Sequence, residues 1–381
     1  MVINLKGPCS LSEHYNYETK RWVYIFGDIH VKESKCDPEN STHIKNFLTN
    51  TLNSNPDKLI DIFIERIKND KIGKVITDES SFDECYLTDS LTHFYPCGLH
   101  MKNDECKYKN LRLHNIDTEF RYLNSTRFSY LKNDFIKLLF LFTEINKNVN
   151  IYIEENNNQF YKGYEDEEYF KEVLEEINML FNLIKKHKLF NTTEIEENFT
   201  QLLIDNVLEN VKINKQLSSV EIAKIKNAII DTFNKCIIES QKNLKDSYTD
   251  IKLLFNEKKL LEDSDIITIY DKLNIAYEYL HKPSLCIMDA YGMSRLFKKF
   301  KTENSKRSID NHNAMYSIFY VGNLHALNYR EFLYNLGYKT LLLTDNSNFE
   351  SIDFQCLNIS KFNQPFFLEH TDFSNEELFV N

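Results

Sequence analysis

The sequence predicts an α/β protein: a largely parallel sheet formed by N- and C-terminal segments with flanking helices, interrupted by a helical-bundle insertion. Three observations carry this. Among 381 residues there are only 8 glycines and 6 prolines, with no proline between Pro96 and Pro283 and no glycine between Gly163 and Gly292, so the middle of the chain is permissive for long helices. On either side of that interval, short apolar runs of strand length end in polar residues. Where these runs alternate with helical patterns, the connections favour parallel pairing.

Taken in order, the predicted strands are RWVYIFGDIH (Arg21 to His30), KLIDIFIER (Lys58 to Arg66), NLRLHNID (Asn110 to Asp117), SLCIMDAYG (Ser284 to Gly292), SIFYVGNLH (Ser317 to His325) and KTLLLTD (Lys339 to Asp345). Between the first two, Ser41 is placed to cap a helix that carries Ile44, Phe47, Leu48 and Leu52 on one face, with Pro56 to stop it. After His325, a second helix aligns Tyr329, Phe332, Leu333 and Leu336, with Gly337 at its C-cap. In the middle interval, Tyr169, Val173, Leu174, Ile177, Leu180, Phe181 and Ile184 recur at helical spacing, as do Ile222, Ile225, Ile229, Ile230, Phe233 and Ile237. The resulting division is 1–126 and 283–381 for the two parts of the α/β domain, and 127–282 for the insertion.

Charge and composition narrow the function. A net charge of −11, from 46 basic and 57 acidic residues with no strongly basic segment, argues against nucleic acid as the main partner. The start lacks a signal-peptide core, and the longest apolar stretch, Phe135 to Phe142, is too short to span a bilayer, so the reading is a soluble, cytoplasmic chain with no membrane partner. Eight cysteines over this length are too dilute for a disulfide scaffold, which makes reduced thiols the expectation.

The chemistry gathers where the predicted strands end, which is where open parallel sheets place their sites. Asp28 and His30, Glu65 and Arg66, His114, Asp117 and Arg121, Asp289 and His325 all fall there. His30 and His325 share one local design, GDIH at Gly27 to His30 and GNLH at Gly322 to His325. A glycine allows a sharp turn or a close approach at the strand end, and the imidazole after it binds a metal or moves a proton. Two histidines with one carboxylate form a recurrent ligand set for a catalytic divalent ion. His30, Glu65 and His325 are therefore the expected ligands of zinc, manganese or cobalt. Asp28 or Asp117 is the expected general base, and Arg121 the group that stabilises developing negative charge, with Asp117 also placed to orient it.

These segments resemble a known family. GDIHVKES (Gly27 to Ser34), the helix after it and NPDKLIDIFIER (Asn55 to Arg66) look like the opening of the TraB/TIKI group, in which a GxxH strand end leads to a helix and a strand ending in a key glutamate. HNIDTEFR (His114 to Arg121) and YVGNLHALNYREFLYNLGY (Tyr320 to Tyr338) are similar to that group's later Asp/Arg region and second GxxH segment. The wider superfamily holds erythromycin-esterase-like and ChaN-like proteins, and some members are metal-dependent peptidases. The resemblance covers roughly the first 121 and last 100 residues and implies His30, Glu65, Arg121 and His325 as functional positions on a peptide or ester substrate. Asp28 departs from it, since the group has a small or hydroxyl residue there. The Asn, Lys, Ile and Tyr content, with DAYGMSRLFKKF (Asp289 to Phe300), also looks like proteins of large cytoplasmic DNA viruses, which implies host cytoplasm or virion.

Other readings compete. One is an inert interaction or virion-associated protein on the same fold, in which His30 and His325 would be packed away or held apart. A metallophosphoesterase is less well matched, since Gly27 is the only glycine followed by aspartate. Cys85, His93, Cys97, His100, Cys106 and His114 are zinc-type ligands, but no CxxC occurs, and scattered reduced cysteines are expected instead.

Overall fold

A computed structural model describes residues 2–30, 36–65, 85–98, 106–116, 217–257, 268, 271–272, 285–286, 288–298, 314–346 and 355–367. One compact unit comprises Met1–Thr118, Ile213–Ala228 and Arg295–Asn381, and a second comprises Glu119–Lys212 and Ile229–Ser294.

The first unit is a mixed α/β structure. Its strands are β1 (Asn4–Lys6), β2 (Ser10–Asn16), β3 (Arg21–Asp28), β4 (Ser41–His43), β5 (Ile60–Ile64), β6 (Leu111–Asn115), β7 (Tyr316–Gly322), β8 (Lys339–Asp345) and β9 (Cys356–Asn358). Six of them form one sheet in the order β6-β5-β7-β3-β2-β8, and a small sheet has the order β4-β1-β9. In the larger sheet β6, β5, β7 and β3 pair in parallel, while β2 runs antiparallel to both β3 and β8. The sheet is thus mostly parallel and drawn from both ends of the chain. Helix α1 (Ile44–Ser54) follows β4, and α2 (Tyr86–Phe94) precedes β6.

One face of the sheet is apolar. Tyr24 and Phe26 of β3, Ile60, Ile62 and Ile64 of β5 and Ile318 and Tyr320 of β7 pack with Phe47, Leu48 and Leu52 of α1, Leu87, Leu91 and Phe94 of α2, and Phe366. The Tyr24 ring stacks on Phe366 at 3.9 Å. The opposite face mixes aromatic and polar groups. Phe63 is stacked between His114 and Phe319, and beside it Arg112 holds Asp61 through two bonds of 2.6 and 2.7 Å. His114 Nε2 lies 3.0 Å from the same carboxylate, and Arg295 Nη2 lies 3.2 Å from His114 Nδ1. An arginine can only donate, so His114 carries its proton on Nε2 and gives it to Asp61.

Several expectations change. Ser41 does not cap α1; it lies in β4, and His43 takes the cap, its Nδ1 accepting from Lys45 N at 3.1 Å. Within Ser284 to Gly292, read as a strand, the described residues 285–286 and 288–292 are helical, so Asp289 does not end a strand. Ser317 to His325 splits into β7 and α4 (Asn323–Asn335), which puts His325 in the first turn of a helix rather than at a strand end. Tyr329, Phe332 and Leu333 of α4 are buried as the periodicity predicts, and Gly337 follows with its N–H on Tyr334 O. Within the predicted insertion, α3 (Ser219–Glu257) buries Ile225, Ile229 and Phe233. Its start is a reciprocal box, Ser218 Oγ accepting from Glu221 N and Glu221 Oε2 from Ser218 N. The 169–184 helical pattern and the 135–142 stretch lie outside the described residues.

The expectation of reduced thiols is also overturned. Cys36 and Cys356, Cys97 and Cys106, and Cys236 and Cys286 form disulfides, while Cys9 and Cys85 are free and buried. Dilution along the sequence was a poor guide because the partners of two pairs lie 320 and 50 residues apart. Cys97 and Cys106 are thereby removed from the candidate zinc loop.

The buried ionic cluster predicts an acid-sensitive fold. Burial, reinforced by Arg295 and Arg112, pushes His114 down to about 4 even though Asp61 pulls the other way. Burial alone would raise Asp61, but Arg112 and His114 hold it well below the carboxylate range. An unfolded histidine titrates near ~6.5, so the unfolded chain gains a proton that folded His114 refuses. Stability is therefore full above that value and falls as pH drops from about 6.5 to about 4, by roughly 3 kcal/mol from this group. Below that window, protonation of Asp61 adds to the loss. Urea midpoints between pH 7 and 4 test this: His114→Gln should flatten the slope, and an unchanged slope would assign the acid sensitivity elsewhere.

Candidate active site

The parallel strands β3, β5 and β7 are neighbours, and their carboxyl ends bring together residues from positions 28, 65 and 322. In the register of β3 and β7, Asp28 stands opposite Gly322. The two GxxH segments interlock at this point. A Cβ on Gly322 would come within 2.8 Å of His30 Nε2 and 3.1 Å of Glu65 Oε2. A Cβ on Gly27 would overlap Asn323 Oδ1 and Ser10 Oγ. Each motif's glycine thus makes room for a side chain of the other motif, a physical reason for glycine at both places.

His30 follows β3 in the left-handed region, with φ +58°. Its N–H donates to Asp28 Oδ1 at 2.5 Å, and its Nδ1 lies 3.6 Å from the same oxygen. The imidazole is 29% exposed, whereas the Asp28 side chain is fully buried. Tyr320 O–H donates to Asp28 Oδ2 at 2.5 Å, and Gln355 Nε2 donates to Oδ1 at 3.3 Å. Burial first, then the Asp28 charge, pushes the Tyr320 hydroxyl well above its usual range, so it remains a donor. Nearby, the Cys9 thiol is driven up to about 12 by burial and then by Asp28 and Asp345, and its Sγ faces Gly27 O. That thiol is a packed group, not a nucleophile.

Glu65 ends β5 nearly sealed. Its Oε2 accepts the Gly322 N–H at 2.6 Å, and its Oε1 lies 3.2 Å from His325 Nε2, with side-chain exposures of 5% for Glu65 and 6% for His325. The start of α4 supplies both partners, because Gly322 is its N-cap and His325 lies in its first turn. A carboxylate at a helix start is favoured by the free N–H groups and the dipole there.

Of the sequence-predicted residues, the fold gathers Asp28, His30, Glu65 and His325 around Gly322. Asp117 and Arg121 lie outside the described residues, as does Arg66. Asp28 is buried and accepts from the His30 N–H, the Tyr320 O–H and Gln355 Nε2. Sequence reasoning missed Tyr320, Gln355 and the Gly322 N–H. Tyr320 reads as a core aromatic within an apolar strand, and Gln355 lies 327 residues from its partner.

Two imidazoles and a carboxylate are the donor types of a divalent-ion site. Both Glu65 oxygens face protein partners, one of them His325, and among the described residues no three His, Cys, Asp or Glu side chains form a metal-ligand group. In comparisons with protein-family models, curated proteins and solved structures, nothing matches the chain.

The interlock predicts a specific coupling. Gly322→Ala should cost about 1 to 3 kcal/mol through overpacking against His30 and Glu65. In a His30→Ala background, where one of the obstructing side chains is gone, that cost should shrink by about 1 kcal/mol or more in urea unfolding. Equal costs in both backgrounds would mean that Gly322 is required for another reason.

Proposed function

We propose that the cluster at the ends of β3, β5 and β7 is a hydrolytic centre acting on peptide or ester bonds. The observation that carries this reading is the contrast between a part-exposed imidazole, His30, and a buried Glu65–His325 pair, both set against the same glycine. Only one of the four gathered side chains is open enough to meet a substrate. His30 takes the proton from the attacking water as general base and returns it to the departing amine or alcohol oxygen as the C–N or C–O bond breaks, leaving the carboxylic acid product. Glu65 and His325 supply a fixed charge and a proton-sharing partner behind it, in a setting where water is scarce and electrostatic interactions are strong. Arg121 keeps its expected part, stabilising the oxyanion, and Asp117 the part of orienting that arginine; both rest on the sequence alone. The TraB/TIKI resemblance supports peptide or ester chemistry, and 127–282 is read as a helical insertion in that fold.

A second reading, with zinc, manganese or cobalt held by His30, Glu65 and His325, is favoured by the shared approach of His30 Nε2 and Glu65 Oε2 to Gly322. The 3.2 Å between Glu65 Oε1 and His325 Nε2 is also the separation that two ligands of one ion would have, so metal content separates the two readings. Among the described residues no helix is long and apolar enough to cross a membrane. The three disulfides favour an oxidising environment over the reduced cytoplasm inferred from composition, and a virion fits that better than host cytoplasm. Expected partners are substrates rather than nucleic acid.

The test is hydrolysis of 4-nitrophenyl esters and a fluorogenic peptide panel by wild type and His30→Gln, beside metal content by mass spectrometry. We expect turnover that falls at least a hundredfold in the variant, with no stoichiometric metal. Stoichiometric metal lost in both His30→Gln and His325→Ala would establish the second reading. A folded wild type that cleaves nothing, with or without added zinc, manganese or cobalt, would favour an inert interaction protein.

A further inference from the structure

We propose that Asp28 is a positioning residue for His30 and that Tyr320 and Gln355 form a clamp that fixes Asp28, an inference that rests on the hydrolytic reading of His30. The sequence alone suggested Asp28 as a base, but the geometry assigns it another task. A left-handed backbone at a residue other than glycine costs about 1 kcal/mol or more and persists only when its surroundings hold it. At His30 the holding group is Asp28, whose Oδ1 accepts the His30 N–H at 2.5 Å and lies 3.6 Å from Nδ1. With Asp28 on the Nδ1 side, Nε2 stands close beside Gly322 and Glu65.

The carboxylate is itself fixed from two directions. Tyr320 reaches Oδ2 from β7, and Gln355 reaches Oδ1 from the residue before β9. Gln355 is anchored on both sides, since its carbonyl accepts from Gly7 N at 3.0 Å and the next residue, Cys356, is bonded to Cys36. Among the described residues three donors meet this buried carboxylate and hold it in place, which a substrate-side base does not need but an orienting group does. The arrangement follows the logic of a carboxylate behind a catalytic histidine, with the hydrogen bond made here by the backbone N–H and the ring nitrogen 3.6 Å from the same oxygen.

The chemical probe is diethyl pyrocarbonate, which acylates unprotonated imidazole nitrogen; the rate at His30 is read by peptide mass spectrometry at pH 7.5. His43 and His93, distant in sequence and part-exposed or exposed, serve as internal controls. In Tyr320→Phe, which keeps the ring and removes one bond to Asp28, acylation of His30 should slow at least threefold with the controls unchanged. Asp28→Asn, which retains an acceptor for the His30 N–H but loses the charge, should slow it at least fivefold. Urea midpoints establish that each variant is folded, and Tyr320→Phe keeps the test standing if Asp28→Asn does not fold. His30 reacting in Tyr320→Phe at the wild-type rate, or faster, would overturn the clamp. The readout needs no turnover: lost hydrolysis with an intact acylation pattern counts against the hydrolytic reading, and the reverse counts against the clamp alone.

Discussion

The site depends on the close approach of two parallel strand ends, β3 and β7, with Asp28 opposite Gly322 in their register. Close packing there leaves no room for a Cβ on Gly27 or Gly322, because each position is filled by a polar side chain from the opposite motif. Register is strict in a sheet buried on both faces, since a one-residue slip would exchange the two sides. Here a slip of β7 would also move the Gly322 N–H away from Glu65 and Gly322 away from His30. Folding the sheet and building the site are therefore the same event, and both ends of the chain must be present for either.

The sheet's second face shows how this fold tolerates burying charge. Asp61, Arg112 and His114 are sealed, yet each has a partner of complementary type, and Arg295 completes the set. Buried ion pairs add little net stability but are costly to break. A similar network covers β2, where Arg330 donates to Ser12 and Ser10 and reaches Asp345, and His14 lies between Ser12 and Thr340. Burial, with Arg330 adding to it, pushes His14 down to about 3, so this histidine is a neutral link in the core and not a reactive group. Such networks define which strand goes beside which more sharply than an apolar face does.

How much the sequence disclosed follows from these two kinds of burial. β3, β5, β6, β7 and β8 were legible because their apolar runs have strand length, and α1 and α4 because one face repeats at helical spacing. β2 was not, since Ser10, Ser12, Glu13, His14 and Asn16 interrupt any apolar run and are buried with Arg330, Tyr24 and their neighbours as partners. Ser284 to Gly292 misled in the opposite sense, because a short apolar run looks alike whether it is a buried strand or a buried helix. His30, Glu65 and His325 could be nominated from strand-end placement. Their mutual bonding could not, because whether Glu65 faces an ion or His325 is a matter of ångströms that residue spacing does not encode.

The two GxxH motifs look like a repeat, but their backbones diverge after the glycine, and the divergence divides the labour. The first continues into a left-handed turn that leaves its histidine part-exposed with a carboxylate behind it. The second enters a helix at once, so its histidine is buried against Glu65 and its glycine N–H becomes a helix-start donor. An exposed imidazole can exchange protons with water and substrate; a buried one can only tune the group it touches. Exposure follows the same division, 29% for the His30 imidazole against 6% for that of His325.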